Sequence, residues 1–326
     1  MKEQLITKKI LKWYDINKRS LPWRKSVSLQ KRQYFTLVSE FMLQQTQVVT
    51  VIPYFNRFIK EIPSLKLLAR FQNKKLIKLW EGLGYYSRVR NLKKTAQNVI
   101  KNYNGKLPSN FEDLISLPGI GNYTASAILA IAFNKPYIPL DGNIERVLKR
   151  YLYLKRKNEI EKENLIEKKS VFGTSLRSSD YAQALMELGA LICKPTNPLC
   201  YQCPISNRCK SFKKKDFDLT KDIKKNINKY FLLKVYKKNQ RYLLIKNTKF
   251  NFLKNLTIFP MEEISKPKNF NENLNFKMSN MNMNIKIKYS KNNKKLPSSC
   301  WLDQKKIKNY MLPTFTKKVV KYLERN

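Results

Sequence analysis

The chain has 326 residues, enough for one large or two ordinary domains with a sizeable hydrophobic core. Lysine and arginine number 66 against 23 aspartates and glutamates, and the net charge of +43 favours a polyanionic partner, nucleic acid first. A genome biased toward lysine and asparagine is the alternative explanation for part of this excess. The chain contains no histidine, which excludes histidine-based triads, HExxH zinc sites and imidazole acid–base catalysis. Proton transfer must therefore use carboxylates, Lys, Tyr, Cys or water.

Export and membrane insertion are not indicated by the sequence. No short apolar segment follows Lys2 and Glu3, as a secretory signal peptide would require. The longest apolar stretch, residues 125–133, is far shorter than the roughly 20 residues of a membrane span. We therefore expect a cytoplasmic protein without a membrane partner. Association with the nucleoid and a monomeric state are further expectations.

Residues 5–212 are predicted to be mostly helical. Apolar residues such as Leu37, Phe41 and Val48 fall at helical spacing, and prolines at several points interrupt the pattern. The pattern predicts about ten short helices, hence a mostly α domain over residues 1–212. Residues 213–229 are charged and unpatterned, which predicts a linker.

Beyond the linker the composition favours β-structure. Residues 230–236 and 241–246 are rich in β-formers and are separated by a polar turn, which predicts a hairpin. Residues 282–289 alternate like a strand, within an asparagine-rich stretch, and residues 315–323 predict a terminal helix. The second domain, residues 230–326, is therefore predicted to be small and α+β.

Residues 114–133 read LISLPGIGNYTASAILAIAF. An apolar turn, the run Pro118-Gly119-Ile120-Gly121 and a following helix of small residues are typical of a helix–hairpin–helix. Glycine lets backbone N–H groups approach a phosphate closely, and the N-terminus of the next helix favours an anion there. An ordinary αα-hairpin with glycine in its turn is the alternative, and the positive charge of the chain favours the DNA-binding interpretation.

Two carboxylates stand in unusual surroundings. Glu40 lies among apolar residues in SEFMLQQTQ, where burial would raise its pKa and keep a proton available near neutral pH. The alternative for Glu40 is an ordinary charge on a helix surface. Asp141 precedes an amphipathic helix in PLDGNIERV and would ordinarily be an N-cap, but its neighbours Gly142 and Asn143 indicate a more specialised turn.

Four of the five cysteines are clustered. Cys193, Cys200, Cys203 and Cys209 form the pattern C-x6-C-x2-C-x5-C, and four thiolates can complete a site for zinc or for a [4Fe–4S] cluster. Metal is expected rather than disulfides in the cytoplasm. Zinc usually takes two C-x2-C pairs and this loop has one, so the spacing favours iron–sulfur over zinc or four unrelated buried thiols. Cys300 lies apart and is predicted to be a packing residue.

The chain resembles the MutY-type adenine DNA glycosylases of the endonuclease III superfamily in six segments that occur in the same order: SEFMLQQTQV, LWEGLGYYSRVRNL, LPGIGNYTASAI, PLDGNIERVL, ALMELGALIC and the four-cysteine loop. The resemblance covers residues 5–212 nearly continuously. It implies an all-α, two-lobed helix–hairpin–helix domain with a [4Fe–4S] cluster and a cleft that receives an extruded adenine. It also implies that adenine mispaired with 8-oxoguanine or guanine is removed from double-stranded DNA, with a C-terminal MutT/Nudix-like domain that helps to recognise the oxidised base.

The resemblance implies roles for individual residues. Glu40 matches the catalytic acid that protonates N7 of adenine, and Asp141 matches the carboxylate that stabilises the cationic sugar, by the two-carboxylate logic of glycoside hydrolysis. Asn143 matches a residue that supports Asp141. Tyr123 falls where bifunctional relatives carry a Schiff-base lysine, so a monofunctional enzyme that leaves an abasic site is expected.

Other matches concern the DNA. In the family, some residues surround the opposite base or wedge beside it, and the matching residues here are Gln45, Thr46, Leu83 and Tyr85. Core packing is the alternative for these residues, above all for Leu83. Positions near the adenine pocket are matched by Arg24 and Gln183, and phosphate contacts through backbone N–H groups are expected at Gly119 and Gly121. The stretch between Arg24 and Tyr34 is longer than is usual in the family.

The second domain departs from the family pattern. A Ser and a His contact the oxidised guanine in the family, and Met281 and Asn282 stand at those positions here. Because Met cannot donate a strong hydrogen bond, we expect a weaker preference for 8-oxoguanine over guanine, unless neighbouring loops compensate. A related glycosylase for another mispaired or oxidised base and a non-catalytic DNA-binding protein are the alternative functions. The QQTQ run and the second domain favour adenine, and the presence of both Glu40 and Asp141 favours catalysis.

Overall fold

The computed structural model describes residues 2–154, 165, 167–217, 226–266, 269–278, 280–290, 296, 298–305, 307, 310 and 312–325. The chain divides into two compact units, one formed by Met1–Leu79 with Tyr86–Lys221 and the other by Trp80–Tyr85 with Asp222–Asn326. The predicted linker spans this change of unit, and its residues 218–225 lie outside the described part. Its two ends belong to regular elements, a helix that ends at Lys214 and a strand that begins at Ile227.

The first unit is helical, as the periodicity predicts. Its helices in the described residues are α1 (Lys2–Asn17), α2 (Leu29–Leu43), α3 (Val48–Glu61), α4 (Leu65–Arg70), α5 (Asn73–Leu79), α6 (Ser87–Asn102), α7 (Phe111–Ser116), α8 (Asn122–Phe133), α9 (Gly142–Leu152), α10 (Ser178–Glu187) and α11 (Lys210–Lys214). A π turn, Leu188–Ile192, continues α10 as far as the first clustered cysteine. None of the described helices has the length and apolar character needed to cross a membrane.

Buried residues at helical spacing define two groups of helices, which form the two expected lobes. One core is shared by α1, α9 and α10, where Ile10, Leu148 and Leu185 are fully buried. In the other group α2 packs against α3, α6 and α8, with Phe41 and Ile128 fully buried. Helix α8 also packs against α10. Helices α2, α8 and α10 are therefore held in fixed positions by apolar burial, about 1.5–3 kcal/mol for each large side chain.

Short polar side chains set where several helices begin and end. Ser28, Ser64 and Asn110 cap α2, α4 and α7, because each side chain accepts a hydrogen bond from the backbone N–H three residues later. Asn134 ends α8 in the left-handed region, with φ of 54°. Its amide also bonds the backbone of Leu176 and of Ser179, which fixes the end of α8 against the start of α10.

The second unit contains two four-stranded sheets and a helix among its described residues. Its elements are β1 (Ile227–Val235), β2 (Lys237–Lys238), β3 (Arg241–Lys246), β4 (Thr257–Ile258), β5 (Met261–Ile264), β6 (Leu274–Met278), β7 (Met281–Tyr289), β8 (Ser299–Asp303) and α12 (Thr314–Leu323). One sheet has the order β5-β1-β7-β6 with β1 parallel to β7, and in the other β3 pairs antiparallel with β2, β4 and β8. Phe231, Leu244 and Phe315 belong to one buried core, to which both sheets and α12 contribute. The predicted α+β domain, its strand at 282–289 and its terminal helix are confirmed.

The predicted hairpin between residues 230–236 and 241–246 is wrong in its pairing. These segments belong to different sheets, and β3 pairs instead with the two-residue strand β2, Lys238 opposite Arg241. The turn at Asn239 and Gln240 has positive φ at both residues, as a tight hairpin requires. Since β1 ends at Val235 and pairs with β7, the chain passes from one sheet to the other before the hairpin begins.

Candidate active site

A cleft of about 920 Å³ in the first unit brings together residues that are far apart in the sequence. Its walls come from the segment between α1 and α2, from α2 itself, from the first turn of α8, from the turn before α9 and from α10. Predicted site residues that line it are Arg24, Glu40, Thr46, Tyr123, Asp141, Asn143 and Gln183. Ligand pockets usually measure roughly 300–1,000 Å³, so this cleft is large enough for a nucleoside.

Glu40 lies in the middle of α2 and is only 4% exposed, so the surface-charge alternative is wrong. Burial raises its pKa to about 7. The hydroxyl of Tyr123 donates a hydrogen bond of 2.9 Å to Glu40 Oε2, which opposes part of this rise, while the charge of Asp141 adds to it. Burial also raises the pKa of Tyr123 far above its usual value, so the phenol stays protonated. A buried carboxyl with a raised pKa is what the predicted proton-holding role requires, and that role stays a prediction.

Asp141 is the N-cap of α9, and it also faces the cleft. Its Oδ1 accepts a 2.7 Å hydrogen bond from the N–H of Ile144, and its Oδ2 accepts one of 3.0 Å from Nδ2 of Asn143. Burial raises the pKa of Asp141, and these hydrogen bonds oppose that rise because they favour the ionised form. The N-cap role and the specialised turn predicted for Asp141 are therefore the same structure. It fixes the direction of the Asp141 carboxylate beside the cleft.

Arg146 extends this arrangement and was missed by the sequence analysis. Its Nη2 donates to Asn143 Oδ1 at 2.9 Å and to the carbonyl of Gly189 at 2.7 Å, and its Nε donates to the carbonyl of Cys193 at 2.7 Å. A Cβ at Gly189 would lie 2.6 Å from Cβ of Asn143, so only glycine permits this approach. The support of Asp141 thus continues to the backbone of the first clustered cysteine.

A buried ion cluster that lines the cleft was also missed. Glu187 is fully buried on α10 and is held by Nε of Arg19 at 2.7 Å and by Nη1 of Arg24 at 2.8 Å. Like Glu40, Glu187 stands in an otherwise apolar run, ALMELGALIC. The same signal that singled out Glu40 would have found it.

The turn after α2 is held by Arg88, a buried side chain that the sequence analysis did not consider. Its Nη1 donates to the carbonyls of Met42 and Gln44 at 2.7 and 2.5 Å, and to Oγ1 of Thr46 at 3.1 Å. Thr46 lines the cleft, whereas Gln45 has a positive φ of 56° and is exposed outside the lining. The structure therefore places Thr46 at the cleft and Gln45 outside it.

The helix–hairpin–helix is formed by α7, a turn and α8, as predicted. Gly119 has φ of 81°, and a Cβ there would lie 2.7 Å from Cβ of Asn91, so the turn requires glycine. Gly121 is the N-cap of α8, and no atom lies within 4 Å of where its Cβ would be. Nε2 of Gln44 donates to the carbonyl of Gly119 at 3.4 Å, which joins the hairpin to the end of α2.

Leu83 and Tyr85 belong to the segment 80–85, which is part of the second unit. Leu83 is buried, in agreement with its core-packing alternative, whereas Tyr85 is 48% exposed with a positive φ of 45°. Trp80 donates a 3.1 Å hydrogen bond from Nε1 to the carbonyl of Gly84 and so closes the turn. Strained exposed aromatics of this kind occur at functional turns.

The four clustered cysteines follow α10 in one loop. Cys193, Cys203 and Cys209 pack against the core of α1, α9 and α10, and Nη1 of Arg150 lies 3.5 Å from Sγ of Cys193. Burial, with the charges of the other three thiols, raises the pKa of Cys203 to about 12. Within the described part of the chain, no three potential ligands are arranged as a ready metal site. The donor set still fits a cationic group, since four mutually repelling thiolates need positive charge between them.

Comparisons with known proteins agree with this geometry. Residues 38–170 match the profile of the family described as HhH-GPD superfamily base excision DNA repair protein. The chain is 40% identical over 257 residues to the adenine DNA glycosylase of Buchnera aphidicola subsp. Baizongia pistaciae (strain Bp), covering 77% of this chain and 72% of that protein. The chain belongs to the adenine DNA glycosylase family. The resemblance inferred from six sequence segments is confirmed.

Another curated relative and two solved structures are also similar to this chain. The Homo sapiens adenine DNA glycosylase is 41% identical over 213 residues, which cover 62% of this chain and 38% of that protein. A thermostable thymine-DNA glycosylase structure aligns with a TM-score of 0.57 at 27% identity, over 65% of this chain and 97% of that one. Endonuclease III in a non-covalent complex with DNA shares the fold, with a TM-score of 0.53 at 21% identity over 65% and 97% of the two chains.

Proposed function

We propose that this protein is a base-excision repair enzyme that hydrolyses the N-glycosidic bond of adenine mispaired with 8-oxoguanine or guanine in double-stranded DNA. The observation that carries the proposal is the pair of unlike carboxyls in one cleft, a buried Glu40 with a pKa near 7 and Asp141 held by hydrogen bonds that favour its ionised form. Family membership identifies adenine as the base.

The two carboxyls divide the chemistry of bond cleavage between them. A base inside a duplex cannot reach a cleft, so the adenosine must first be extruded into it. Glu40 gives its proton to N7, which turns adenine into a better leaving group, and Asp141 stabilises the positive charge that develops on the sugar. Glu40, now ionised, then accepts a proton from the water that adds to the sugar.

Tyr123 determines what product remains. Its hydroxyl is bonded to Glu40, and a phenol cannot form an imine with the opened sugar. The proposed enzyme is therefore monofunctional and leaves an intact abasic strand.

The remaining predicted residues serve the DNA and the metal. Backbone N–H groups near Gly119 and Gly121 would contact phosphate, and Gln45, Thr46 and Tyr85 would contact the opposite base and its neighbours, whereas Leu83 is buried and packs in the core. Arg24 and Gln183 would lie against the adenine. A [4Fe–4S] cluster would be held by Cys193, Cys200, Cys203 and Cys209. When bound, the cluster would fix the loop beside α9 and help to position the DNA, to which the protein would bind as a monomer.

The test uses end-labelled duplexes with adenine opposite 8-oxoguanine, guanine or thymine. We expect strand breaks only after treatment with alkali, only at the adenine, and only for the first two duplexes. Breaks without alkali would contradict the monofunctional mechanism, and cleavage at a thymine opposite guanine, tested in parallel, would favour a thymine-specific relative.

A further inference from the structure

Arg88 is a buried side chain to which the proposed reaction gives no role. It lies at the start of α6 and is only 6% exposed. Its Nη1 donates hydrogen bonds to the end of α2 and to the turn that follows, across 42–47 residues of sequence. An arginine is seldom buried unless its donors are paired, so these contacts hold both Arg88 and the turn in place.

Some of the contacts of Arg88 complete the C-terminal end of α2. The last four carbonyls of a helix have no partner within it. In α2, backbone N–H groups of the residues that follow bond two of these carbonyls, and Arg88 bonds the other two, those of Phe41 and Met42, at 3.2 and 2.7 Å. A positive charge at this end is also favoured by the helix dipole. Arg88 therefore fixes where α2 ends and the turn begins.

The turn itself contains a strained residue. Gln45 is exposed and has φ of 56°, in the left-handed region. For a residue with a side chain this conformation is costly, and it persists only where the surroundings enforce it. Arg88 bonds both neighbours of Gln45, the carbonyl of Gln44 at 2.5 Å and Oγ1 of Thr46 at 3.1 Å. The contacts of Arg88 therefore hold Gln45 in its strained conformation.

The contact with Thr46 goes beyond what the end of a helix needs. A cap needs only partners for backbone carbonyls, whereas Oγ1 of Thr46 belongs to a side chain that lines the cleft. Gln45, which Arg88 holds through its neighbours, is exposed beside that lining. One buried guanidinium thus sets the positions of two adjacent side chains, one at the cleft and one outside it.

We propose that Arg88 is a positioning residue for recognition of the base opposite the adenine, because it holds Gln45 and Thr46 where they meet that base. This inference rests on the proposed function, in which Gln45 and Thr46 contact the opposite base. Arg88 itself is buried and does not touch the DNA. Its replacement therefore reduces the part of the affinity that depends on the opposite base and spares the rest. Lysine cannot replace it, because an ammonium group lacks the planar fork of five donors of a guanidinium.

The test measures affinity for two duplexes that carry a tetrahydrofuran in place of the adenine nucleotide, opposite either 8-oxoguanine or a second tetrahydrofuran. No base enters the cleft from either duplex, and only the first has an opposite base to recognise. Arg88→Lys should weaken binding to the 8-oxoguanine duplex by about 10–100-fold, as expected when hydrogen bonds to a charged group are lost, and binding to the second duplex by less than about threefold. Equal weakening of both duplexes would show only a general effect on the fold, and would overturn the inference.

Lys93→Met is the matched control. Lys93 is also on α6, and its Nζ donates to the carbonyl of Phe71 and to Oδ1 of Asn73, both at 2.6 Å. The variant thus removes a cation that holds another segment of the same unit, and it should keep the wild-type ratio of the two affinities. A change of that ratio in Lys93→Met as large as in Arg88→Lys would overturn the inference.

A second comparison leaves Arg88 in place, so it decides the question even if Arg88→Lys does not fold. Gln45→Gly and Gln45→Val both remove the amide, but glycine adopts a positive φ freely whereas a β-branched residue resists it. Gln45→Val should therefore bind the 8-oxoguanine duplex at least about threefold more weakly than Gln45→Gly does. Equal affinities would show that the conformation held by Arg88 does not matter for recognition, and would overturn the inference.

Release of adenine by the wild type is measured alongside these affinities. If the wild type releases adenine from neither mispaired duplex, the proposed function fails and the inference fails with it. If the wild type releases adenine while Arg88→Lys weakens both tetrahydrofuran duplexes equally, only the positioning role of Arg88 fails.

Discussion

Glu40 and Asp141 show how position alone gives two carboxyls different chemistry. Glu40 is in the middle of α2, where the hydroxyl of Tyr123 donates a hydrogen bond to its side chain. Asp141 is at the start of a helix, where the N–H of Ile144 and the amide of Asn143 both favour its charged form. One group therefore keeps a proton near neutral pH, and the other is poised to hold negative charge.

The raised pKa of Glu40 predicts how stability depends on pH. Its folded-state pKa, about 7, lies above the usual value of 4.5, so the protonated form is favoured in the native state. Its contribution to stability is complete below about pH 4.5 and is lost as pH rises through 7. Glu40→Gln cannot ionise, so it should raise the free energy of unfolding by about 3 kcal/mol well above pH 7 and change it little at pH 4.

Thermal unfolding of Glu40→Gln and wild type at pH 4, 6 and 8.5 measures this difference. Glu61→Gln, at an exposed position of α3, controls for the loss of one negative charge. A Tm difference between Glu40→Gln and wild type that does not grow with pH would contradict the assigned environment of Glu40.

The two hairpin glycines, Gly119 and Gly121, have different structural roles. Gly119→Ala places a Cβ 2.7 Å from Cβ of Asn91 at a positive φ, so it should destabilise the protein by about 2–5 kcal/mol. Gly121→Ala meets open space and should keep the wild-type Tm. It should nevertheless weaken DNA binding, since the methyl group would lie where a phosphate must approach.

Urea unfolding and duplex affinity, measured for both glycine variants, separate the two effects. A stable Gly119→Ala variant would show that the turn does not need glycine. Unchanged affinity in Gly121→Ala would place the phosphate elsewhere.

The cysteine loop is the second element with a definite expectation. Protein purified without oxygen should be brown and contain about four iron and four sulfide per chain, as four thiolates holding a cubane imply. Cys200→Ala should mainly reduce solubility and DNA affinity, because the loop lies beside α9 rather than in the cleft. Metal analysis tests this expectation. A colourless protein with stoichiometric zinc would contradict the assignment of a [4Fe–4S] cluster.

Strand β7 contains Met281 and Asn282, the two residues expected to affect the preference for 8-oxoguanine over guanine. Asn282 already donates a 3.0 Å hydrogen bond to Oδ1 of Asn228, and its neighbour Met281 has no strong donor. The variant Met281→Ser/Asn282→His should therefore increase the preference for 8-oxoguanine over guanine, by up to about tenfold. Single-turnover rates and affinities on the two duplexes measure it, and an unchanged preference would show that the first unit suffices for recognition.

Local sequence patterns predicted the features that depend on neighbouring residues, but they did not predict the contacts between residues far apart in the sequence. The helical unit, the hairpin glycines and the buried acid follow from periodicity, turn chemistry and one charge in an apolar run, all of which are local. Arg88 and Arg146 donate to backbone carbonyls of other elements, such as those of Met42 and Gly189, and no local pattern specifies these contacts. The pairing of β1 with β7 was missed for the same reason, since strand partners far apart in sequence leave no local signal.

The net charge of +43 agrees with a DNA partner, but the proposed function depends on the chemistry of Glu40. The most direct test is release of free adenine from an adenine:8-oxoguanine duplex by wild type and by Glu40→Gln under single-turnover conditions. Glu40→Gln keeps the shape of the side chain but has no acidic proton, so release should fall by at least about 10²–10⁴-fold while duplex binding persists. Near wild-type release by Glu40→Gln would contradict the account.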